Sequence, residues 1–307
     1  MGSAPSAGAL GQTATQRSAP ARSMARALRD ALAAWLPALP LLLLAALLLV
    51  IPAMLLIVQS FSTEAGLSLA NWGKVLSNRN DQRAIVTSLE LAALSATLAM
   101  LIGTPAAWFI SHMFPARRAI WLALLNVAAN FGGIGLGFAY LATLGNVGMV
   151  TLMLKAIGIP FDPPSPASFT GLAIGYLYTN VPLFVLLTIP AMGVLRNDWW
   201  EAAQTAAATR LQFWRYVGIP VLSPFIAAGW LLIFTWSIGL YGLAFALAGT
   251  GGATQVRLIT LQIGLTLQSS AFGQERAAVL AVVLMVLATV SLLIYRVLLR
   301  RALRWFR

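Results

Sequence analysis

The chain has 307 residues, of which 60% are hydrophobic and 9% charged, with a mean hydropathy of +0.84. A water-soluble globular protein carries about a quarter charged residues, so the composition excludes one and points to an integral membrane protein. The net charge of +12 would suit a nucleic-acid surface in a soluble protein, but cytoplasmic loops of membrane proteins also collect Lys and Arg, and no nucleic-acid partner is expected.

Residues 1–30 are rich in Ala, Ser and Arg without an apolar period and read as a disordered cytoplasmic tail. Residues 31–307 read as one membrane domain. Its first apolar run follows Asp30 and reaches about Phe61, too long for the core of a signal peptide. Further runs of membrane-crossing length lie near Ile85–Ile110, Ala119–Leu144, Ser168–Leu195, Val221–Ala248 and Ala277–Leu299. None alternates as a barrel strand does, so the expected fold is all-α, a polytopic membrane protein with six transmembrane helices. Gly148–Ala156 reads as a short interfacial helix, and the three-proline run at Phe161–Pro166 as a rigid extended loop.

Counting Lys and Arg sets the orientation. With the N-terminus inside, fourteen of the twenty fall on the cytoplasmic side, including Arg117, Arg118, Arg196, Arg210 and Arg215, and six on the other. This bias places both termini, and the interval 198–220, in the cytoplasm.

That interval is the most informative part of the chain. Asp198 followed three residues later by Glu201 has the form of a capping box and predicts a helix start. Ala202, Ala203 and Ala206–Ala208 are helix formers with almost no side chain, so a partner could approach the backbone. Phe213, Trp214, Tyr216 and Val217 predict a second short amphipathic piece, ended by Pro220 before the next span.

The order Glu201-Ala202-Ala203, three residues, Ala207, nine residues, Val217-x-Ile219-Pro220 resembles the EAA signature of inner-membrane permease subunits of binding-protein-dependent ABC importers, with the MetI-like fold. The spacing agrees at every position. Ala207 stands where that family usually has Gly, and it is expected to allow only right-handed helical or extended geometry there.

The resemblance implies that Asp198, Glu201, Ala202, Ala203, Ala207, Phe213, Val217, Ile219 and Pro220 couple to a cytoplasmic ABC ATPase dimer. It also implies a second permease subunit, a related chain rather than a second copy, and an extracytoplasmic solute-binding protein. The location implied is the bacterial inner membrane. No G-x-x-x-x-G-K-[ST] pattern occurs, so no cofactor is expected on this chain, and ATP with Mg belongs to the partner.

Within the spans, polar residues are the candidates for a translocation pathway. Glu90 is a carboxylate well inside an apolar segment; it either pairs with Arg83 or snorkels, or meets a cationic solute. Asn126 and Asn130 share a face of the third span, Tyr176, Thr179 and Asn180 occupy neighbouring turns of the fourth, and Thr235, Trp236, Ser237 and Tyr241 form a strip on the fifth. Such groups also serve as interhelical hydrogen bonds worth about 0.6–2 kcal/mol. Gly132, Gly133, Gly135 and Gly137 either allow close packing or unwind the third span; this stretch is similar to the polyamine-type subgroup of the family.

With no Cys and one histidine, His112, expected at the surface, the chain offers no metal site, nucleophile or triad, so a membrane-embedded enzyme is disfavoured. An ATP-independent secondary transporter or channel would call for an internal repeat, and none is evident. The expected solute is polyamine-like, with phosphonate, ferric ion or sugar as alternatives.

Overall fold

The computed structural model describes residues 36–63, 66–248, 256–269 and 273–304; the expected tail at 1–30 lies outside them. The chain divides into two compact units, Met1–Leu55 and Leu56–Arg307. Among the described residues, six helices are long and apolar enough to cross a membrane.

The first unit holds most of helix α1, Leu39–Phe61. Its leucines are exposed, as befits a helix that is apolar all round and meets lipid or another protein. A π turn at Ala46–Val50 interrupts it two residues before Pro52. The second unit continues through a small hairpin, β1 (Ser62–Thr63) against β2 (Gly66–Leu67), to α2 (Ala70–Ser77) and the long α3 (Arg79–Ser111). There follow α4 (Pro115–Asn130), α5 (Gly133–Leu144), α6 (Met149–Ala156) and α7 (Phe169–Met192). Side-chain caps start two of these helices: Asn78 accepts from the Asn80 amide at 2.9 Å, and Ser168 from the Gly171 amide at 3.1 Å.

The remaining helices are α8 (Asn197–Thr205), α9 (Arg210–Ile238), α10 (Gly242–Ala248), α11 (Ile259–Ser269) and α12 (Gly273–Arg304). Helix α3 is the axis, packed on α7 and α9, and α9 packs in turn on α12. Its buried stripe is almost entirely small: Ala84, Ser88, Ala92, Ser95, Ala96, Ala99, Gly103 and Ala107. Small side chains let helix backbones approach where lipid supplies no hydrophobic drive for association.

Two predicted crossings are not single helices. Ala119–Leu144 is broken at Phe131–Gly132, and α5 starts from Gly133 with φ +70°, a conformation that costs glycine nothing. Val221–Ala248 is broken at Gly239–Tyr241. The two breaks meet: a Cβ on Gly242 would lie 3.1 Å from the Gly133 Cα, and one on Gly137 only 2.3 Å from the Ala246 Cβ. The glycine stretch thus both unwinds the chain and seats α5 on α10. Helix α11 was not expected, because Gln262, Thr266 and Gln268 dilute its apolar signal.

An ion pair absent from the sequence reading ties α3 to α12. Arg276 donates from Nε to Asp81 Oδ2 at 2.9 Å and from a terminal nitrogen to Oδ1 at 2.8 Å, and the Asp81 side chain is fully buried. Neither residue lies in an apolar run, so only the fold brings them together. Arg276→Ala strands that carboxylate and is expected to cost about 3 kcal/mol. Asp81→Ala with Arg276→Ala should cost much less. Thermal unfolding in lipid nanodiscs checks this, and equal losses in the two variants would contradict it.

Candidate functional site

The interval 197–220 is a folded elbow. Helix α8 starts at Asn197 with Arg196 as its N-cap residue and no side-chain cap, so the predicted Asp198–Glu201 capping box does not form. The helix begins two residues earlier than that pattern needs. Asp198 therefore sits inside the first turn, where its charge suits the helix dipole, and accepts from the Arg196 guanidinium. Glu201 contributes its carbonyl to Thr205 Oγ1 at 3.0 Å and leaves its side chain exposed. The capping box occurs instead at the start of α9. Thr209 Oγ1 accepts from the Gln212 amide at 3.3 Å while Gln212 Oε1 accepts from the Thr209 amide at 2.8 Å. Its T-x-x-Q signature was present in the sequence.

Between α8 and α9 the chain reverses through a Schellman turn. The Ala208 amide donates to the Ala203 carbonyl at 3.0 Å and the Ala207 amide to the Gln204 carbonyl at 2.9 Å. Ala207, with φ 56°, is the one non-glycine at positive φ among the described residues. The expectation that alanine would hold this position to right-handed or extended geometry is thereby overturned. Two hydrogen bonds hold it left-handed, the conformation a glycine would take freely, at a cost of about 1–2 kcal/mol.

The elbow is clamped to the bundle by aromatic side chains. Phe213 is buried in one cluster with Ile110 of α3, Ile189 and Met192 of α7, Leu195, and Leu222 of α9. Trp200 meets Phe213 edge-on with ring centroids 5.3 Å apart, and Trp108 of α3 meets Trp214 at 4.8 Å. Arg210 lies 5.8 Å over the Trp200 ring. His112 is exposed and lies tilted against Trp108, with ring centroids 4.0 Å apart. On the other face of α8, Glu201 and Ala202 are exposed, as are Ala207, Ile219 and Pro220 beyond it, while Ala203 and Val217 are half-buried.

Pro220 does not end a helix here. A π turn at Trp214–Gly218, in which the Ile219 amide donates to the Trp214 carbonyl, makes room for the proline, and the helix runs on unbroken to Ile238. Gly218 is required for it, since a Cβ there would come 2.5 Å from the Trp214 ring.

Farther along α9 the candidate pathway residues divide in two. Asn180 Nδ2 of α7 donates to Ser237 Oγ of α9 at 2.8 Å, Ser95 Oγ of α3 reaches the same oxygen at 3.4 Å, and all three residues are buried. Thr179 is buried beside them, and Tyr176 donates to the Leu240 carbonyl at 3.3 Å where α9 ends. This seam lies inside the chain. Ser95 belongs to it, as does the Trp230–Thr97 bond at 3.0 Å nearby, and both were missed. Small polar residues on the buried stripe of α3 were the available signal.

The others lie on the surface. Trp236 and Tyr241 flank a hollow of about 450 Å³ together with Thr235 and Leu240. Asn126 and Asn130 are exposed and turn their amides back to the Leu122 and Asn126 carbonyls. Glu90 is also exposed; among the described residues it has no ion pair, with Arg83 or any other cation.

Relief of the left-handed alanine gives a direct check on the turn. Ala207→Gly is expected to stabilise the protein by about 1 kcal/mol, read as a raised melting temperature, whereas Ala207→Val should lower it. An unchanged or lowered melting temperature for the glycine variant would count against this geometry.

Comparisons with known proteins agree with the fold. Residues 165–304 match the family described as binding-protein-dependent transport system inner membrane component. The chain is 29% identical over 232 residues to the sulfate transport system permease protein CysT of Salmonella typhimurium, covering 75% of this chain and 80% of that one. It is 26% identical over 202 residues to the spermidine/putrescine transport system permease protein PotB of Escherichia coli, covering 65% and 73%. In fold it is similar to a chain of a bacterial alginate ABC transporter crystallised with an alginate pentasaccharide-bound periplasmic protein. That match has a TM-score of 0.65 and 16% identity, and covers 90% of this chain and 96% of the other. In its six-helix membrane fold, its correctly spaced elbow and these relatives, the chain is similar to inner-membrane permease subunits of binding-protein-dependent ABC importers.

Proposed function

We propose that the chain forms half of a translocation pathway and is driven through residues 198–220 by a separate cytoplasmic ATPase dimer, which holds the ATP and Mg. A second, related permease subunit supplies the other half, and an extracytoplasmic binding protein delivers the solute. The observation that carries this reading is the continuity of α9. One helix joins the clamped elbow at Arg210–Gly218 to the polar seam at Ser237 and the hollow at Trp236–Tyr241. Force applied at the elbow therefore reaches both along one helix. The exposed strip of Glu201 and Ala202, with almost no side chain at Ala202, offers the ATPase a close approach.

Alternating access follows from the same parts. The broken helices meeting at Gly133 and Gly242 leave backbone free to line a cavity, as discontinuous helices do in transporters. Moving α7 against α9 requires breaking Asn180–Ser237.

For the solute, the favoured reading is a polyamine-like cation. Glu90 is an exposed carboxylate within a long apolar helix with no ion-pair partner among the described residues, and such a group calls for a cation. The spermidine/putrescine relative supports it. An oxyanion is the second reading, favoured by the longer and more identical alignment with the sulfate permease.

One experiment separates them. In vesicles holding the assembled transporter and its binding protein, Glu90→Gln is expected to lower spermidine uptake about tenfold, the worth of one charge-assisted contact. Sulfate uptake that is insensitive to Glu90→Gln, with no spermidine uptake, would overturn the cationic reading and leave the permease assignment intact.

A further inference from the structure

We propose that the foot of the bundle binds one anionic phospholipid, with its headgroup at Arg210 and an acyl chain on the far side of the Trp108–Trp214 pair. Two hollows share that pair as a wall. One, of about 280 Å³, is enclosed by Trp108, Trp200, Phe213 and Trp214 and rimmed by His112, Arg196 and Arg210. The other, of about 560 Å³, is lined by apolar groups of three helices, among them Met100, Pro105, Met192, Leu222, Ile226 and Ala227.

The chemistry of each half is distinct. Arg196 is paired with Asp198, whereas Arg210 has no carboxylate partner among the described residues and rests on the Trp200 ring. His112 turns Nδ1 to Ser111 Oγ at 3.0 Å and to the Trp108 carbonyl at 2.9 Å. The first hollow is thus an aromatic box with an unneutralised guanidinium at its rim, suited to a phosphate group. The second is a hydrocarbon slot with Thr104 and Ser223 as its polar members.

A free phosphate would satisfy only the first hollow and a hydrocarbon only the second. A molecule with an anionic head and an acyl tail occupies both. Trp-rich belts mark the membrane–water boundary, and basic pockets between helices there hold anionic headgroups. The lipid would lie against the elbow where α8 and α9 meet α3, bracing the clamp. This inference needs the chain only to span a bilayer, so it stands or falls separately from the solute and coupling readings.

The test uses the transporter purified from membranes with the subunits that accompany it, followed by native mass spectrometry and by melting after delipidation. Phosphatidylglycerol is expected to be retained and to raise the melting temperature, and phosphatidylcholine to do neither. Arg210→Gln should weaken phosphatidylglycerol binding about fivefold, the worth of one cation at an anionic surface. Ala227→Phe, which fills the slot and leaves the charges, should weaken it as well, while Arg117→Gln, outside both hollows, should not. Equal retention of the two lipids, or undiminished binding by Arg210→Gln, would overturn the proposal. So would inorganic phosphate reproducing the whole stabilisation, which would mark a free-anion site. Lipid bound by the lone chain but missing from the assembled transporter would also overturn it, marking the slot as a subunit contact.

Discussion

Burial of Phe213 among the ends of α3, α7 and α9 is the contact on which the elbow depends. Burying one such ring is worth about 1.5–3 kcal/mol, and the edge-on Trp200 and the Trp108–Trp214 pair add to it. Without that anchor, residues 197–220 would be a polar excursion from the membrane. With it, Arg210–Pro220 are one end of a helix about 40 Å long, at 1.5 Å per residue from Arg210 to Ile238. The π turn is the device that lets one helix contain both the anchor and Pro220. A second π turn, at Ala46–Val50, likewise ends two residues before a proline. In both places one widened turn takes up the residue that an α-helix with a missing amide cannot accommodate.

Above the anchor, cohesion has a different source. Apolar side chains gain little by leaving lipid for protein, so α3 holds its neighbours through close approach along its small-residue stripe and through a few buried hydrogen bonds. These bonds are individually weak, about 0.6–2 kcal/mol. The Asp81–Arg276 pair ties the N-terminal ends of α3 and α12 together and is costly to break from one side.

How much of this could be read from the sequence depends on the range of the interactions involved. Six membrane-crossing helices follow from apolar run length, a local property, and the elbow follows from a fixed spacing of Glu201, Ala202, Ala203, Val217, Ile219 and Pro220. The helix start was misplaced by two residues because Asp198 fits a first-turn position as well as a cap, and composition does not separate the two. The left-handed Ala207 was misjudged because alanine's own preference opposes it; the two hydrogen bonds that hold it belong to the turn as a whole. The break at Gly132 was one of two readings its glycines allowed, and both hold, whereas the break at Gly239 was concealed by its apolar flanks. Burial of Asn180 and Ser237, against exposure of Asn126 and Glu90, depends on which faces pack together, and no single helix encodes that.

The central claim is that the elbow, and not another surface, receives the ATPase. The chain contains no cysteine, so single thiols can be placed at will. Ala202→Cys, on the exposed face of α8, is expected to cross-link to the ATPase subunit in membranes of the assembled transporter, and Lys74→Cys on α2 is not. A cross-link from Lys74→Cys to the ATPase, with none from Ala202→Cys, would contradict both the orientation and the coupling role.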